Sequence, residues 1–267
     1  MGFKDLHLKI KAFRLRHFLI GDGGKKKRES ENGKKPSWMV PLSHGYHVVD
    51  MYSLQDESSE LDSDSVVVQR EQIGENIEMW FFGVFDARIG DGVSKYMQSH
   101  LFGKKIKESE MRRRSKETLR KAYLGARAKI RETEEPEESS KVGSASAIII
   151  NGEKLVIATM GDYRAVVCRD GAIRLAKVRL LGWDSGGAAR TKPTKNSQLL
   201  VGSQRIDADT EFLILASSGI WEVMKHQEAV NLIRHIDDPQ EAAECLAKEA
   251  LTRMSRSNIS CLVIRFD

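Results

Sequence analysis

The chain has 267 residues, of which 40% are hydrophobic and 30% charged, a composition typical of a globular protein with a sizeable core. No apolar run approaches the roughly 20 residues that span a bilayer, and the N-terminus lacks the pattern of a secretory leader. These features predict an intracellular protein, in the cytoplasm, in the nucleus or at the membrane periphery. The three widely spaced cysteines are then expected to be free thiols: Cys168, Cys245 and Cys261.

The net charge of +5 comes from the N-terminal segment. Residues 1–35 contain eleven Lys or Arg and four Asp or Glu, a net charge of +7, which leaves −2 for the rest of the chain. The rest of the chain therefore lacks the basic surplus that binding to nucleic acid requires. The sequence predicts a basic extension over residues 1–43, either disordered or amphipathic with weak contact to a membrane surface. One domain is predicted over residues 44–267.

The first predicted elements are short strands followed by helices. Their composition and spacing predict strands over residues 46–51, 66–69 and 77–85, and helices over residues 92–102 and 108–131.

Two tight hairpins come next. Asn-Gly and Asp-Gly pairs separate apolar runs, and these pairs tolerate the positive φ angles of a two-residue hairpin turn. Such short turns force antiparallel pairing, because parallel strands need a long crossover, so we predict a meander and not a doubly wound sheet. The turns are residues 151–152 and 170–171, and the strands are residues 144–150, 154–159, 164–169 and 172–178.

The C-terminal third is predicted to begin as loop and to end with strands and helices. Asp238 and Pro239 have the residue types of a helix N-cap and a first helical position. Met254 continues the apolar spacing of that helix and is expected to face the core. This arrangement of sheets and helices predicts the α+β class. The loop covers residues 179–203, the strands residues 211–216 and 260–266, and the preceding helix residues 226–236.

Four segments together resemble a known family. They read FFGVFDARIGD (81–91), GSASAIIINGEKLVIATMGDYRAVV (143–167), LASSGIWEVMKHQEAV (215–230) and SNISCLVIRF (257–266). In this order they resemble the metal-dependent serine/threonine protein phosphatases of type 2C, plant members in particular, over residues 44–267. The resemblance implies a four-layer α-β-β-α sandwich of two antiparallel sheets flanked by helices.

The resemblance also implies a chemistry. Members of the family hydrolyse phosphoserine and phosphothreonine with two Mg²⁺ or Mn²⁺ ions that activate a shared water. Matched position by position, three residues are remnants of the metal site. Asp86 keeps the family's aspartate, Ala87 keeps only a backbone carbonyl, and Asp162 matches an acid that helps to hold a further ion in some relatives.

The other matched positions depart from the family. Arg88 stands where the family has a histidine that gives a proton to the leaving group, and Ser218 and Ser257 stand where it has metal-binding aspartates. Ser63 falls at the position of an essential glutamate if the strand at 66–68 aligns with the family's strand, and Asp64 then matches the neighbouring acid. A slip of one residue would instead bring Asp62 or Asp64 to that position.

The departures predict a site that lacks charge. Two divalent ions need anionic oxygen ligands, and the carboxylates here fall from about four to about one. The sequence therefore predicts a catalytically inactive pseudophosphatase with a binding or regulatory role, no cofactor, a phosphoprotein or other protein as partner, and a monomeric state. We also expect Arg88 to pair with Asp86. The alternative is a weakly active or altered metal-dependent phosphatase that uses Asp86, Asp162 and either Asp62 or Asp64.

Two other patterns are rejected. Cys168 and Arg174 have the Cys-x₅-Arg spacing of cysteine phosphatases, but the residues between them contain a predicted hairpin turn. The histidines show no metal-ligand spacing, and His44 and His47 are interpreted as surface or structural residues.

Overall fold

A computed structural model describes most of the predicted domain. The predicted N-terminal extension, apart from residues 42–43, lies outside the described residues, so the boundary at residue 43 stays a prediction. The described residues are 42–49, 64–73, 77–86, 89, 92–93, 95–96, 100, 108–133, 144–152, 154–174, 179–180 and 199–266.

Eleven strands and four helices have defined bounds in the described part of the chain. The strands are β1 Leu42–Val49, β2 Ser65–Ile73, β3 Ile77–Phe85, β4 Ala145–Asn151, β5 Lys154–Met160, β6 Arg164–Arg169, β7 Ala172–Arg174, β8 Arg179–Leu180, β9 Leu200–Arg205, β10 Thr210–Ala216 and β11 Ile259–Phe266. The helices are α1 Glu108–Thr133, α2 Ser218–Trp221, α3 His226–Ile233 and α4 Pro239–Thr252. None of the described helices is long and apolar enough to cross a membrane.

The strands form two antiparallel sheets. The first sheet has the order β1-β11-β10-β6-β7, and the second has the order β2-β3-β4-β5-β9-β8. Helix α1 packs on the outer face of the second sheet, and α2, α3 and α4 pack on the outer face of the first. The predicted α+β class and the four-layer sandwich are confirmed.

The alternation of side chains along the strands separates three buried cores. In β3, Phe81 faces α1 whereas its neighbour Phe82 faces the first sheet, since successive side chains of a strand point to opposite faces. Leu215 and Leu262 meet Phe82 in the core between the sheets. Each such fully buried side chain stabilises the fold by roughly 1.5–3 kcal/mol.

Both predicted hairpins form and are antiparallel, but they do not make one meander, because they lie in different sheets. β5 pairs with β9 in the second sheet, whereas β6 pairs with β10 in the first. The chain changes sheet at Gly161, which has a φ of +68°. A side chain at this position would collide with Ser144, so the crossing needs glycine here.

One further prediction needs correction, and another is tested only at its ends. Residues 179–203 are predicted to be mostly loop; residues 181–198 lie outside the described residues, whereas Arg179–Leu180 forms β8 and β9 begins at Leu200 and pairs along β5. Met254 does not face the core: it is 84% exposed, and its φ of +59° turns the chain away from the end of α4.

Other local predictions are confirmed. Asp238 caps α4, since its Oδ1 accepts hydrogen bonds from the backbone N–H groups of Gln240 at 2.7 Å and Glu241 at 2.9 Å. All three cysteines are free; Cys168 and Cys261 are buried, and Cys245 is half-buried.

Candidate functional site

Two of the predicted acids lie where the second sheet ends. Asp64 directly precedes β2, and Asp86 directly follows β3. Because Ser65 pairs with Phe85, the two aspartates lie next to each other just beyond that pair. The backbone N–H of Asp86 donates to the Ser144 carbonyl at 3.0 Å, which fixes this acid beside β4.

Asp162 lies at the same end of the sheet. It follows the turn after β5, and its backbone N–H donates to Ser144 Oγ at 3.1 Å. Ser144 therefore contacts both Asp86 and Asp162 and keeps them at one end of the sandwich.

The first sheet brings the two serine positions to this end. Ser217 follows β10 and is fully buried; its Oγ donates to the Asn258 carbonyl at 2.7 Å and accepts from the Ser260 N–H at 2.9 Å. These bonds hold the start of α2, where Ser218 lies, against the segment that leads into β11, where Ser257 lies.

Gly219 permits this close approach. A Cβ at this position would lie 2.8 Å from the Ser257 carbonyl oxygen and closer still to that of Asn258, so any side chain would push the two segments apart. The position requires glycine because a side chain has no room there.

Glu222 holds the segment of Ser257, and sequence reasoning missed it. Its Oε1 accepts from Ser255 Oγ at 2.6 Å, from the Arg256 N–H at 2.6 Å and from the Ser257 N–H at 3.1 Å. Its Oε2 accepts from Ser257 Oγ at 3.0 Å. Partial burial acts to raise the pKa of Glu222, but these hydrogen bonds outweigh it and lower the pKa. The acid four positions after Ser218 was the sequence feature that could have indicated this contact.

Tyr163 was also missed. It lies in the connection between β5 and β6, is 4% exposed, and forms a side-chain hydrogen bond with Asp64. Burial raises the pKa of Tyr163, and the charges of Asp64 and Asp86 raise it further, so the phenol stays protonated and donates. Ser260 Oγ also donates to Asp64, at 2.5 Å from Oδ2. The tyrosine directly after Asp162 was the sequence feature that could have indicated the contact of Tyr163.

A shallow depression of about 460 Å³ adjoins the end of α2. The Trp221 and His226 rings pack edge to face on its wall, with centroids 4.8 Å apart. Burial lowers the pKa of His226, and the positive charge of Arg164 lowers it further.

Only some of the predicted site residues can be located. Ser63, Asp62, Ala87 and Arg88 lie outside the described residues, and so does the expected contact between Arg88 and Asp86. The residues that the structure places at one end of the sandwich are Asp64, Asp86, Asp162, Ser218 and Ser257. Their predicted roles stay predictions.

The pattern of a cysteine phosphatase remains rejected. Cys168 is buried within β6, and burial, with the charge of Glu211, raises the pKa of its thiol to about 11. A reactive thiolate needs the opposite shift.

We expect Glu222→Ala to release the segment of Ser257. The variant loses four hydrogen bonds at a largely exposed site, so the free energy of unfolding should fall by roughly 1 kcal/mol. Glu222→Gln keeps one accepting oxygen and should lose less. Urea unfolding of both variants measures this, and equal losses would contradict the assignment of Oε1 as the main acceptor.

His226 should make stability depend on pH. Its pKa is lower in the folded than in the unfolded protein, so the unfolded state binds the proton more readily, and stability is lost as the pH falls below about 6.5. In His226→Gln, the decline of the unfolding midpoint between pH 7 and pH 5 should be shallower. Parallel curves for wild type and variant would contradict this.

Comparison with known proteins agrees with this architecture. The family model Protein phosphatase 2C matches residues 49–180 and 199–259. A relative from Arabidopsis thaliana, named protein phosphatase 2C-like protein 44, is 48% identical over 277 aligned residues and is covered completely, as is this chain. Protein phosphatase 2C 44 from Oryza sativa subsp. japonica is 32% identical, covering 89% of this chain and 82% of the relative.

Solved structures share the fold at low sequence identity. A bacterial serine phosphatase superposes with a TM-score of 0.61 at 15% identity, covering 85% of this chain and 98% of the other. A serine/threonine phosphatase from Staphylococcus aureus gives a TM-score of 0.56 at 15% identity, covering 91% of this chain and 100% of the other.

The family match corrects the expectation about cofactors. The sequence predicted that no cofactor is needed, but this family uses Mg²⁺ or Mn²⁺, so that prediction is wrong. The described residues alone do not form a complete metal site, since no three His, Cys, Asp or Glu side chains among them are placed to hold one ion. The match and the relatives together show that this chain belongs to the protein phosphatase 2C family, with Mg²⁺ or Mn²⁺ as the cofactor that membership implies.

Proposed function

We propose that this protein keeps the shell of a type 2C phosphatase but hydrolyses phosphoserine and phosphothreonine at a small fraction of the family's rate or not at all, and acts as a binding or regulatory protein. The observation that supports this is the pair Ser218 and Ser257 at the end of the first sheet, where the resemblance puts metal-binding aspartates. Two neutral hydroxyls cannot offset the charge of two divalent ions.

The contacts of Ser257 strengthen the argument. Its Oγ donates to Glu222 Oε2 at 3.0 Å, so this hydroxyl is engaged with a carboxylate. Glu222 cannot take over the role of the lost aspartates in this arrangement, because four donors already occupy its two oxygens. The nearest acid to Ser257 thus serves to hold the backbone.

Mg²⁺ or Mn²⁺ remains the cofactor of this proposal. When bound, such an ion polarises the phosphoryl oxygens and lowers the pKa of a water that attacks phosphorus. Asp86, the carbonyl of Ala87 and Asp162 are the residues that would contact it. Since each lost ligand is expected to weaken affinity at least as much as the roughly 10–100-fold of an outer-shell change, binding should be weak.

A phosphoprotein or another protein is the proposed partner, recognised by the retained shell of the domain as a monomer. The fold supports binding without catalysis, because its three buried cores are built from strand and helix side chains and do not include Ser218 or Ser257.

A weakly active phosphatase is the second candidate. Ser144 contacts the backbone of both Asp86 and Asp162, which keeps two acids at one end of the sandwich. The names of the plant relatives, which are called phosphatases or phosphatase-like, also favour it.

Titration with Mn²⁺ tests the weakness of the site. Calorimetry should give a dissociation constant in the millimolar range, and Asp86→Ala should remove what binding there is. The same samples assayed with a phosphothreonine peptide should release little phosphate. Micromolar binding that depends on Asp86, together with turnover typical of the family, would favour the second candidate.

Restoring activity should need several changes together. Ser218→Asp alone should leave the protein without family-level turnover, because one added carboxylate still leaves two dications poorly neutralised. Combining it with Ser257→Asp and Arg88→His should recover Mn²⁺ binding. Family-level turnover of a phosphopeptide by the single variant would show that our account of the lost charge is wrong.

A further inference from the structure

We propose that Asp64 is a structural acid that ties the two sheets together at the site end of the sandwich, held by the hydroxyls of Ser260 and Tyr163, and that it does not serve as a metal ligand. This holds whether or not the protein hydrolyses phosphoesters. The alternative function, a weakly active phosphatase, uses either Asp62 or Asp64, and of these two only Asp64 lies among the described residues. The proposal removes Asp64 from the metal ligands of that alternative.

The three residues lie in both sheets and in the crossing between them. Asp64 directly precedes β2 of the second sheet, and Ser260 lies in β11 of the first. The bond from Ser260 Oγ to Asp64 Oδ2, at 2.5 Å, therefore joins the two sheets. Tyr163 lies where the chain itself passes from the second sheet to the first, so its hydrogen bond to Asp64 joins the acid to that crossing.

Burial shows why these bonds matter. Asp64 is 8% exposed, Tyr163 4% and Ser260 0%. A carboxylate removed from water is strongly destabilising unless donors replace the lost hydration. Ser260 supplies such a donor from the first sheet and Tyr163 supplies one from the crossing between the sheets, so the burial of Asp64 depends on the assembly of both sheets.

The same contacts occupy the carboxylate of Asp64. A directly bound ion would have to compete with these donors for an oxygen of Asp64 and bring its remaining waters beside the acid. Little of Asp64 is exposed, and one of its oxygens accepts a short hydrogen bond from a residue inside the sandwich. Asp86, half-buried at the same end, is the more accessible acid.

The chain offers matched controls for a stability test. Tyr123 and Ser146 are buried at 1% and 0% exposure, and their hydroxyls have no hydrogen-bond partner among the described residues. Removing those hydroxyls removes volume but no hydrogen bond. Tyr123→Phe and Ser146→Ala are therefore compared with Tyr163→Phe and Ser260→Ala.

Thermal unfolding of the full chain in EDTA gives the first readout. Tyr163→Phe and Ser260→Ala should each lower the midpoint by about 2–4 °C, as expected for one lost hydrogen bond in a protein of this size. The two controls should leave it unchanged or raise it. In a double-mutant cycle, Tyr163→Phe should cost less when Asp64→Ala is already present.

Mn²⁺ gives the second readout. The shift of the midpoint that Mn²⁺ produces should be the same in wild type and in Asp64→Asn, whereas Asp86→Asn should reduce any shift. If Asp64→Asn or Asp64→Ala does not fold, the comparison of Tyr163→Phe and Ser260→Ala with their controls still decides. Stabilisation by Mn²⁺ that disappears in Asp64→Asn, or midpoints equal to those of the controls, would overturn the proposal.

Discussion

A carboxylate buried where two sheets meet must find its hydrogen-bond donors inside the protein, and this constraint shapes the end of the sandwich. Asp64 accepts from Ser260 of the opposite sheet and from Tyr163 at the crossing between the sheets. A neighbouring buried group also finds its partners inside the protein: the hydroxyl of Ser217 donates to the Asn258 carbonyl and accepts from the Ser260 N–H. Each of these polar contacts spans a junction of elements that are far apart in sequence. The site end is therefore defined by a hydrogen-bonded frame whose parts depend on the correct assembly of both sheets.

The sequence predicted local structure well and the pairing of distant segments less well. The strand at 77–85 and both hairpin turns followed from alternation and turn chemistry, and Asp238 from the residue types that cap a helix. The assignment of the two hairpins to different sheets did not follow from the sequence. The chain crosses between the sheets at Gly161, which has a positive φ, and a single glycine does not predict such a crossing. β9 was missed for a similar reason, since its place in the sheet comes from the open edge of β5. Within the site, Glu222 and Tyr163 were missed because their partners lie in other elements, and spacing along the chain does not show such contacts.

The separation of core from site explains how a fold can persist while its chemistry changes. The three buried cores are made of side chains from the strands and helices, and Ser218 and Ser257 belong to none of them. Replacing an aspartate by serine at such a position removes a charge from a cluster of like charges and removes no core contact. Such a change therefore lowers the affinity for metal ions, whereas the free energy of unfolding without an ion is little affected or even increased. Selection for folding alone would therefore not preserve the acids, whereas it would preserve Gly219, whose place is fixed by two backbone carbonyls.

Glu222 and Ser257 are best understood as one unit. The carboxylate of Glu222 reaches the backbone N–H groups of Arg256 and Ser257, both at hydrogen-bonding distance from Oε1. The hydroxyl of Ser257 completes the contact at 3.0 Å from Oε2. An aspartate at position 257 would replace that donor by a second carboxylate within hydrogen-bonding distance of the first, and the repulsion would favour either a bound cation or a displaced segment. The serine thus suits a segment that stays closed without an ion, and an aspartate introduced at this position would have to contend with Glu222.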